Sequence, residues 1–430
     1  MAASDSHREP ARDIQREIDA IWRIESARLI AGLVRFAGDV GAAEDLAQDA
    51  LVVALEKWPV DGVPDKPGAW LMATAKNRAV DAARRGATLA RKRDAIGREI
   101  EIAQTAAGPD LDAALDDEIG DDLLSLVFTC CHPVLSREAR VALTLRLLGG
   151  LTTDEIARAF LVPEKTLAQR IVRAKKTLAE ADVPFEVPRG EELSARLSSV
   201  LEVIYLVFNE GYAATAGDDW VRPALCEDAM RLGRILAELA PNEPEVHGLV
   251  ALMEIQASRL RARVGPAGEP VLLLDQDRAR WDWVLVGRGL AALERAEAHD
   301  GAAGPYELQA AIAACHARAR VAGDTHWGQI SALYGSLAEI TPSPVVELNR
   351  AVAVAMAFGP AAGLELVDRL TDEASLNGYH LLPSVRGDLL AKLGRTDEAR
   401  SEFARAAALT RNERERQLLL ARASADVPDV

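Results

Sequence analysis

Apolar positions recur at helical spacing along nearly the whole chain. Leu197, Val200, Leu201, Ile204, Tyr205 and Phe208 advance by three and one, which lays them on one face of an amphipathic helix. Val246, Leu249, Val250, Met253, Ala257 and Leu260 do the same. No run alternates with period two between hairpin turns, so the pattern predicts an all-α fold. Breaks at 183–190, 241–244, 265–270 and 341–344 carry Pro, Gly or both and punctuate the helices.

Composition agrees with this reading. Aromatic residues make up only 4% of the 430 residues, whereas Ala, Leu, Arg and Glu dominate. The length predicts two to four domains. Five segments are expected: 10–100, which ends in a basic cluster; 101–122, with eight acids and no Lys or Arg, read as a flexible acidic linker; a compact helical block at 123–182; and a long helical region divided as 190–290 and 291–430. The amino-terminal MAASDSHREPARD is polar, and the longest apolar run, Ala351–Phe358, is too short to span a membrane. With four cysteines and no paired spacing, a cytoplasmic location is expected and no membrane partner.

A net charge of -16 argues against nucleic acid until its distribution is considered. Arg84–Arg98 holds six basic residues and one acid, and Arg158–Lys176 holds another six against one. Two basic islands in an acidic chain fit local DNA contact, and solvated helix faces fit them as well.

The second island coincides with the strongest local motif. Thr152 followed by Glu155 forms a capping box that starts a short helix. Leu161-Val162-Pro163 interrupts it, and Pro163 suits the first turn of a second helix, where its missing N–H has no partner to lose. Two helices with so short a turn make a helix-turn-helix. In the second, Leu167, Ile171, Ala174 and Leu178 share an apolar side. Thr166, Gln169, Arg173 and Lys176 share another, flanked by Lys165 and Arg170. Such residues can read base edges and hold phosphates in a major groove.

Upstream, Ala43–Trp58 is an amphipathic helix containing Asp45, Leu46, Gln48 and Asp49, followed by a turn-rich stretch from Pro59 to Pro67. Gly68–Arg85 follows, with Asn77, Asp81 and Arg84 at i, i+4 and i+7 and Arg78 and Arg85 beside them. These two segments resemble region 2 of the extracytoplasmic-function sigma factors of the sigma-70 family, whose hallmarks are an AEDLxQ helix and a WLxxxAxNxxxDxxRR helix. The helix-turn-helix resembles region 4 of the same group, at the expected distance beyond an acidic linker.

The resemblance implies two small helical sigma domains joined by that linker, with core RNA polymerase (the clamp of the largest subunit, and the flap) and promoter DNA as partners. It places Asp45, Leu46, Gln48 and Asp49 on the polymerase clamp. It places Asn77, Arg78, Asp81, Arg84 and Arg85, with Lys57 and Trp58 of the Lys57–Lys66 loop, at the -10 element and its melting. It places Lys165, Thr166, Gln169, Arg170, Arg173 and Lys176 at the -35 element. Trp58 and Trp70 fit a hydrophobic core better than a base-stacking platform, and Asp81 also suits a surface ion pair with Arg78 or Arg85.

Residues beyond about 190 exceed what such a sigma factor needs. Leu389–Leu409 fits a tetratricopeptide pattern, with small Ala399 and Ala406 at helix crossings and Phe403 between them; Val345–Met356 looks like a degenerate earlier unit. Together with Tyr205–Tyr212, Asp277–Asp282, Gly304–Ala311 and Pro342–Arg350, this resembles the sigma subgroup carrying a tetratricopeptide-like extension. That resemblance implies an extension that regulates or supports the sigma module through an intramolecular or protein partner. Cys130-Cys131-His132 and Cys315-His316 lack the spaced ligand pairs of structural zinc, so no metal, no cofactor and no enzymatic activity are expected. Two rival readings remain: a helix-turn-helix regulator with a helical-repeat sensor acting without polymerase, and a signalling scaffold with a vestigial motif.

Overall fold

The computed structural model of the protein describes residues 8–91, 122–160, 162–214, 216–217, 220–266, 268–299 and 301–424. The expected linker, 101–122, lies outside them except at Asp122. The chain forms two compact units, residues 1–203 and 204–430.

In the first unit, α1 (Arg8–Ala37), α2 (Val40–Asp61) and α3 (Pro67–Arg91) pack on one another. α1 contributes large apolar side chains (Ile18, Leu29, Ile30, Leu33), and α2 answers with Ala43, Ala47, Ala50 and Ala54, all fully buried. Small residues at that spacing give one smooth face, against which the larger neighbours fit closely. Asp39 caps α2, accepting from Gly41 N–H (2.7 Å) and Ala42 N–H (2.9 Å).

α2 runs further than the sequence pattern indicates. It continues through Pro59 to Asp61, and Gly62, at φ 83°, ends it by donating its N–H to Trp58 O (3.0 Å). The expected loop from Lys57 to Lys66 therefore starts only at Gly62; its first five residues are helix. Pro59 removes a single helical hydrogen bond close to the helix end, where tertiary packing of Trp58 holds the turn together.

From Asp122 onward come α4 (122–130), α5 (Arg137–Leu147), α6 (Thr153–Ala159) and α7 (Glu164–Glu180). Ser136 caps α5, and α5 sends Val141, Leu143, Leu145 and Leu147 into the core. The opening turns of α8 (Glu191–Tyr212) belong to this unit too. There Arg196 donates to Phe128 O (2.9 Å) and lies over the Phe128 ring, while Ser199 donates to Cys131 O (3.0 Å).

The second unit takes the rest of α8 and then pairs of helices: α9 (Pro223–Leu239) and α10 (Pro244–Ala257), α11 (Trp283–Glu297) and α12 (Pro305–Arg318), α13 (Trp327–Ile340) and α14 (Pro344–Phe358), α15 (Pro360–Arg369) and α16 (Leu381–Lys392), α17 (Thr396–Leu409) and α18 (Glu413–Ser424). Five of these begin on Pro at the first helical positions, where its fixed φ is preformed for a helix and no donor is lost. α10 and α12 approach so closely that a Cβ on Gly248 would lie 2.7 Å from the Glu307 backbone nitrogen. The fold is all-α as expected, with one added two-residue parallel ladder in which β1 (Ala216–Gly217) pairs with β2 (Arg411–Asn412). Asn412, 1% exposed, clamps it by donating to Ala214 O (3.0 Å), which ties the last hairpin to the start of the unit.

Phe403 is buried between α16 and α17 beside Ala399 and Ala406, its ring against Gly387. Phe403→Ala is expected to destabilise the second unit by about 3–5 kcal/mol. Urea unfolding of the full chain checks this, and a loss below about 1 kcal/mol contradicts the packing described.

Candidate nucleic-acid interface

The helix-turn-helix is built by local bonds. Glu155 N–H donates to Thr152 Oγ1 (3.1 Å) and Thr152 N–H donates to Glu155 Oε2 (2.8 Å), the reciprocal capping box. Burial pushes the Glu155 carboxyl upward, but hydrogen bonds from Thr152 and the charge of Arg23 outweigh it and hold the group below the usual glutamate range. Val162 N–H reaches back to Ala157 O (3.0 Å), closing the turn. Pro163 stands one residue ahead of the expected first turn: it is the N-cap of α7, in extended backbone.

α7 separates its faces cleanly. Leu167, Ile171, Ala174 and Leu178 are buried. Lys165, Thr166, Gln169, Arg173 and Lys176 are exposed and Arg170 is half-buried, so all six candidate -35 residues lie outside the core. Lys176 also pairs with Glu180 (3.4 Å), an exposed contact of little energetic weight.

In α2 and α3 the candidate residues divide. Asp45 and Asp49 are exposed, with Leu46 and Gln48 half-buried beside them. Val52, 48% exposed, continues the Asp45–Asp49 face one turn on, and its apolar surface was not singled out by spacing alone. Asn77 and Arg78 are exposed on α3, and Arg78 meets Asp49 of α2 at 3.4 Å. The side chains of Asp81, Arg84 and Arg85 lie outside the described residues. Lys57 is exposed, but Trp58 is only 2% exposed and packs edge-on against Trp70 (5.3 Å between ring centres). Trp58 is thus a core residue in this structure and offers no face to a base.

Glu44 was not among the candidates, yet it joins the two blocks. It is 3% exposed. Its Oε1 accepts from Arg146 Nε of α5 (2.7 Å), and Lys175 of α7 pairs with its other oxygen. Gln48 donates to it as well (2.6 Å). Around this centre, Arg23 of α1 pairs with Glu155 (2.8 Å) and Arg35 with Asp122 (2.5 Å). Gly150, at φ 69°, passes so near α1 that a Cβ there would meet Ser26 Oγ at 2.9 Å. Helices α2 and α7 are therefore in direct contact. The sequence held one faint sign: Glu44 and Lys175 both sit next to the buried stripe of their helix instead of opposite it.

The four cysteines are buried. Cys130 and Cys131 are buried at the end of α4, and burial raises both thiols, Cys131 to about 11. Among the described residues no group of three His, Cys, Asp or Glu could hold a metal ion, and no helix is long and apolar enough to cross a membrane.

Comparison with known proteins bears on these faces. Residues 24–88 match Sigma-70 region 2, residues 125–178 match Sigma-70, region 4, and residues 196–297 match a Family of unknown function (DUF6596). The uncharacterized protein R00370 of Rhizobium meliloti (strain 1021) is 43% identical over 384 residues, 89% of each chain. The probable ECF RNA polymerase sigma factor SigI of Mycobacterium tuberculosis (strains CDC 1551 / Oshkosh and ATCC 25618 / H37Rv) is 26% identical over 172 residues, 40% of this chain and 57% of its own. No solved structure matches. Both sigma-70 regions thus fall in order within the unit that bears the two polar helix faces. The chain belongs to the extracytoplasmic-function group of the sigma-70 family and carries a C-terminal extension that includes the DUF6596 region.

Two outcomes follow for the first unit. A double-mutant cycle of Glu44→Gln and Lys175→Met should give a coupling energy of about 1–3 kcal/mol, below the 3–5 seen when fully buried pairs are broken. Coupling near zero in denaturant unfolding would contradict the bridge. Thr152→Ala should cost about 0.5–2 kcal/mol at neutral pH. Because the folded Glu155 titrates below its unfolded value, its contribution is present above about pH 4.3 and disappears as pH falls through the lower folded value. The wild-type advantage over the variant should shrink over that acid window; an advantage that grows there contradicts the assignment.

Proposed function

We propose that this protein directs RNA polymerase to promoters, with residues 10–100 binding the polymerase clamp and the -10 element, 101–122 serving as the tether and 123–182 reading the -35 element. The observation that carries the reading is the exposed Lys165–Lys176 face of α7, held outward by its buried opposite side, in one unit with the exposed acidic face of α2. Gln169 and Arg173 are the base readers, and Lys165 and Lys176 hold phosphates. Asp45, Leu46, Gln48 and Asp49 meet the polymerase. Asn77 and Arg78, with Asp81, Arg84 and Arg85 further along the helix, meet the strands being opened. Residues 190–290 and 291–430 are a helical-repeat extension of tetratricopeptide type that regulates or supports this module.

The reading sets a geometric demand. Elements named -10 and -35 lie about 25 base pairs apart, or ~85 Å at 3.4 Å per step. A block of about 100 residues is only ~30 Å across, from its ~13 Å radius of gyration. Two blocks joined at Glu44 cannot reach both elements, so the packed arrangement is the resting state and initiation requires it to part.

Reconstituted transcription tests the proposal. Purified protein added to sigma-free core polymerase should start transcripts at specific sites, and absence of specific initiation on any genomic template would overturn it. On a mapped promoter, Gln169→Ala or Arg173→Ala should each lose about 1–3 kcal/mol of discrimination at -35 positions. Lys165→Ala should weaken all sequences alike and lower the salt slope by about 0.9.

A further inference from the structure

The second unit gathers positive charge where burial is least favourable to it. Arg259 follows α10, Arg263 follows the short turn after it, and Arg278 lies in the Asp277–Asp282 segment before α11. Arg259 lies over both Tyr212 and Trp281, with its guanidinium carbon 5.8 Å from each ring centre. Arg263 stacks on Tyr212 at 3.8 Å and faces Trp220 at 5.3 Å. Arg278 lies 4.7 Å over Trp281 and donates to the carbonyl oxygens of His316 and Ala319. The three guanidiniums thus share two aromatic rings.

Among the described residues none of the three has a carboxylate within ion-pair distance. Nearby acids are occupied: Asp277 and Asp282 cap the following turns, and Glu210 pairs with Arg222 (2.5 Å). Asp324 acts on Arg278 only from longer range. Five buried polar atoms in the same cluster have no hydrogen-bond partner among the described residues: Nε of Arg259, Arg263 and Arg278, the Tyr212 hydroxyl and Trp281 Nε1. Arg259 and Arg263 keep part of their surface open to solvent, and among the described residues no hydrogen bond or ion pair occupies their terminal nitrogens. Neighbouring His316 responds to this field: burial and the charges of Arg259 and Arg278 lower its pKa to about 4.

Like charges placed together in a poorly solvated site are costly unless an opposite charge completes it. Guanidiniums already oriented by aromatic faces present planar donors suited to oxyanions. We propose that the Arg259–Arg263–Arg278 cluster is a binding site for a small oxyanion, a phosphate or carboxylate group, held by Arg259 and Arg263 with Arg278 supplying field from behind. Tyr205–Tyr212 and Asp277–Asp282, prominent in the sequence but idle in promoter binding, meet here. The proposal concerns binding by the second unit and does not depend on the promoter-directing reading.

The full-length chain, titrated with inorganic phosphate and separately with malonate at ionic strength balanced by sodium chloride, tests it. At least one anion should raise the melting temperature saturably, with half-effect below about 1 mM, and shift the His316 ring titration upward in NMR. Arg259→Gln/Arg263→Gln should lose at least tenfold in affinity, whereas Arg318→Gln/Arg320→Gln, on exposed arginines at and just beyond the end of α12, should retain it. Arg263→Lys, which keeps the charge but not the planar stack, provides a folded variant if the double change unfolds, and it should also weaken binding. No saturable response to either anion, or an undiminished one in the Arg259/Arg263 variants, overturns the proposal. Response to phosphate alone or malonate alone assigns the oxyanion class.

Discussion

A buried carboxylate, Glu44, holds the first unit together. Almost wholly removed from water, it would be costly alone; two cations from the other block, Arg146 and Lys175, make it tolerable. The arrangement is mutual, since separating the blocks leaves each side with charges to rehydrate. Each cation keeps 21% of its side chain open to water, an edge from which rehydration can start. A contact of this kind orients strongly and parts at moderate cost, whereas an apolar interface of similar extent would leave sticky surface exposed.

What was legible in the sequence follows the range of the forces. The capping box at Thr152 and Glu155 and the face separation of α7 are set within a few residues, and they are found where spacing puts them. The end of α2 is not so local. Pro59 reads as a breaker, yet the packing of Trp58 carries the helix past it. Trp58 lies in the core, as its residue type favoured, and not at the surface where the resemblance placed it. Glu44 was invisible because its partners lie 102 and 131 positions away, and no periodicity encodes such a distance. The small ladder between β1 and β2 escaped for the same cause, being two residues at each end of a long unit.

The second unit resolves its charges differently. Arg386 is shared between Asp368 and Glu402, and Arg422 meets Asp388, so the last helices are laced by complete pairs. Around Arg259, among the described residues, rings take the place of carboxylates. Stacking on aromatics stabilises a guanidinium without neutralising it, which leaves its charge available to something that arrives from solution.

On the proposed reading, the two blocks joined at Glu44 rest together and separate when promoter DNA is engaged. Electron–electron distance measurement between spin labels at Glu17→Cys and Glu180→Cys, on exposed sites of α1 and α7, addresses it directly. The free protein should give one short distance distribution, and addition of core polymerase with promoter DNA should lengthen it by tens of ångströms, on the order of the spacing between the two elements. An unchanged short distance in a complex that initiates transcription would contradict the account.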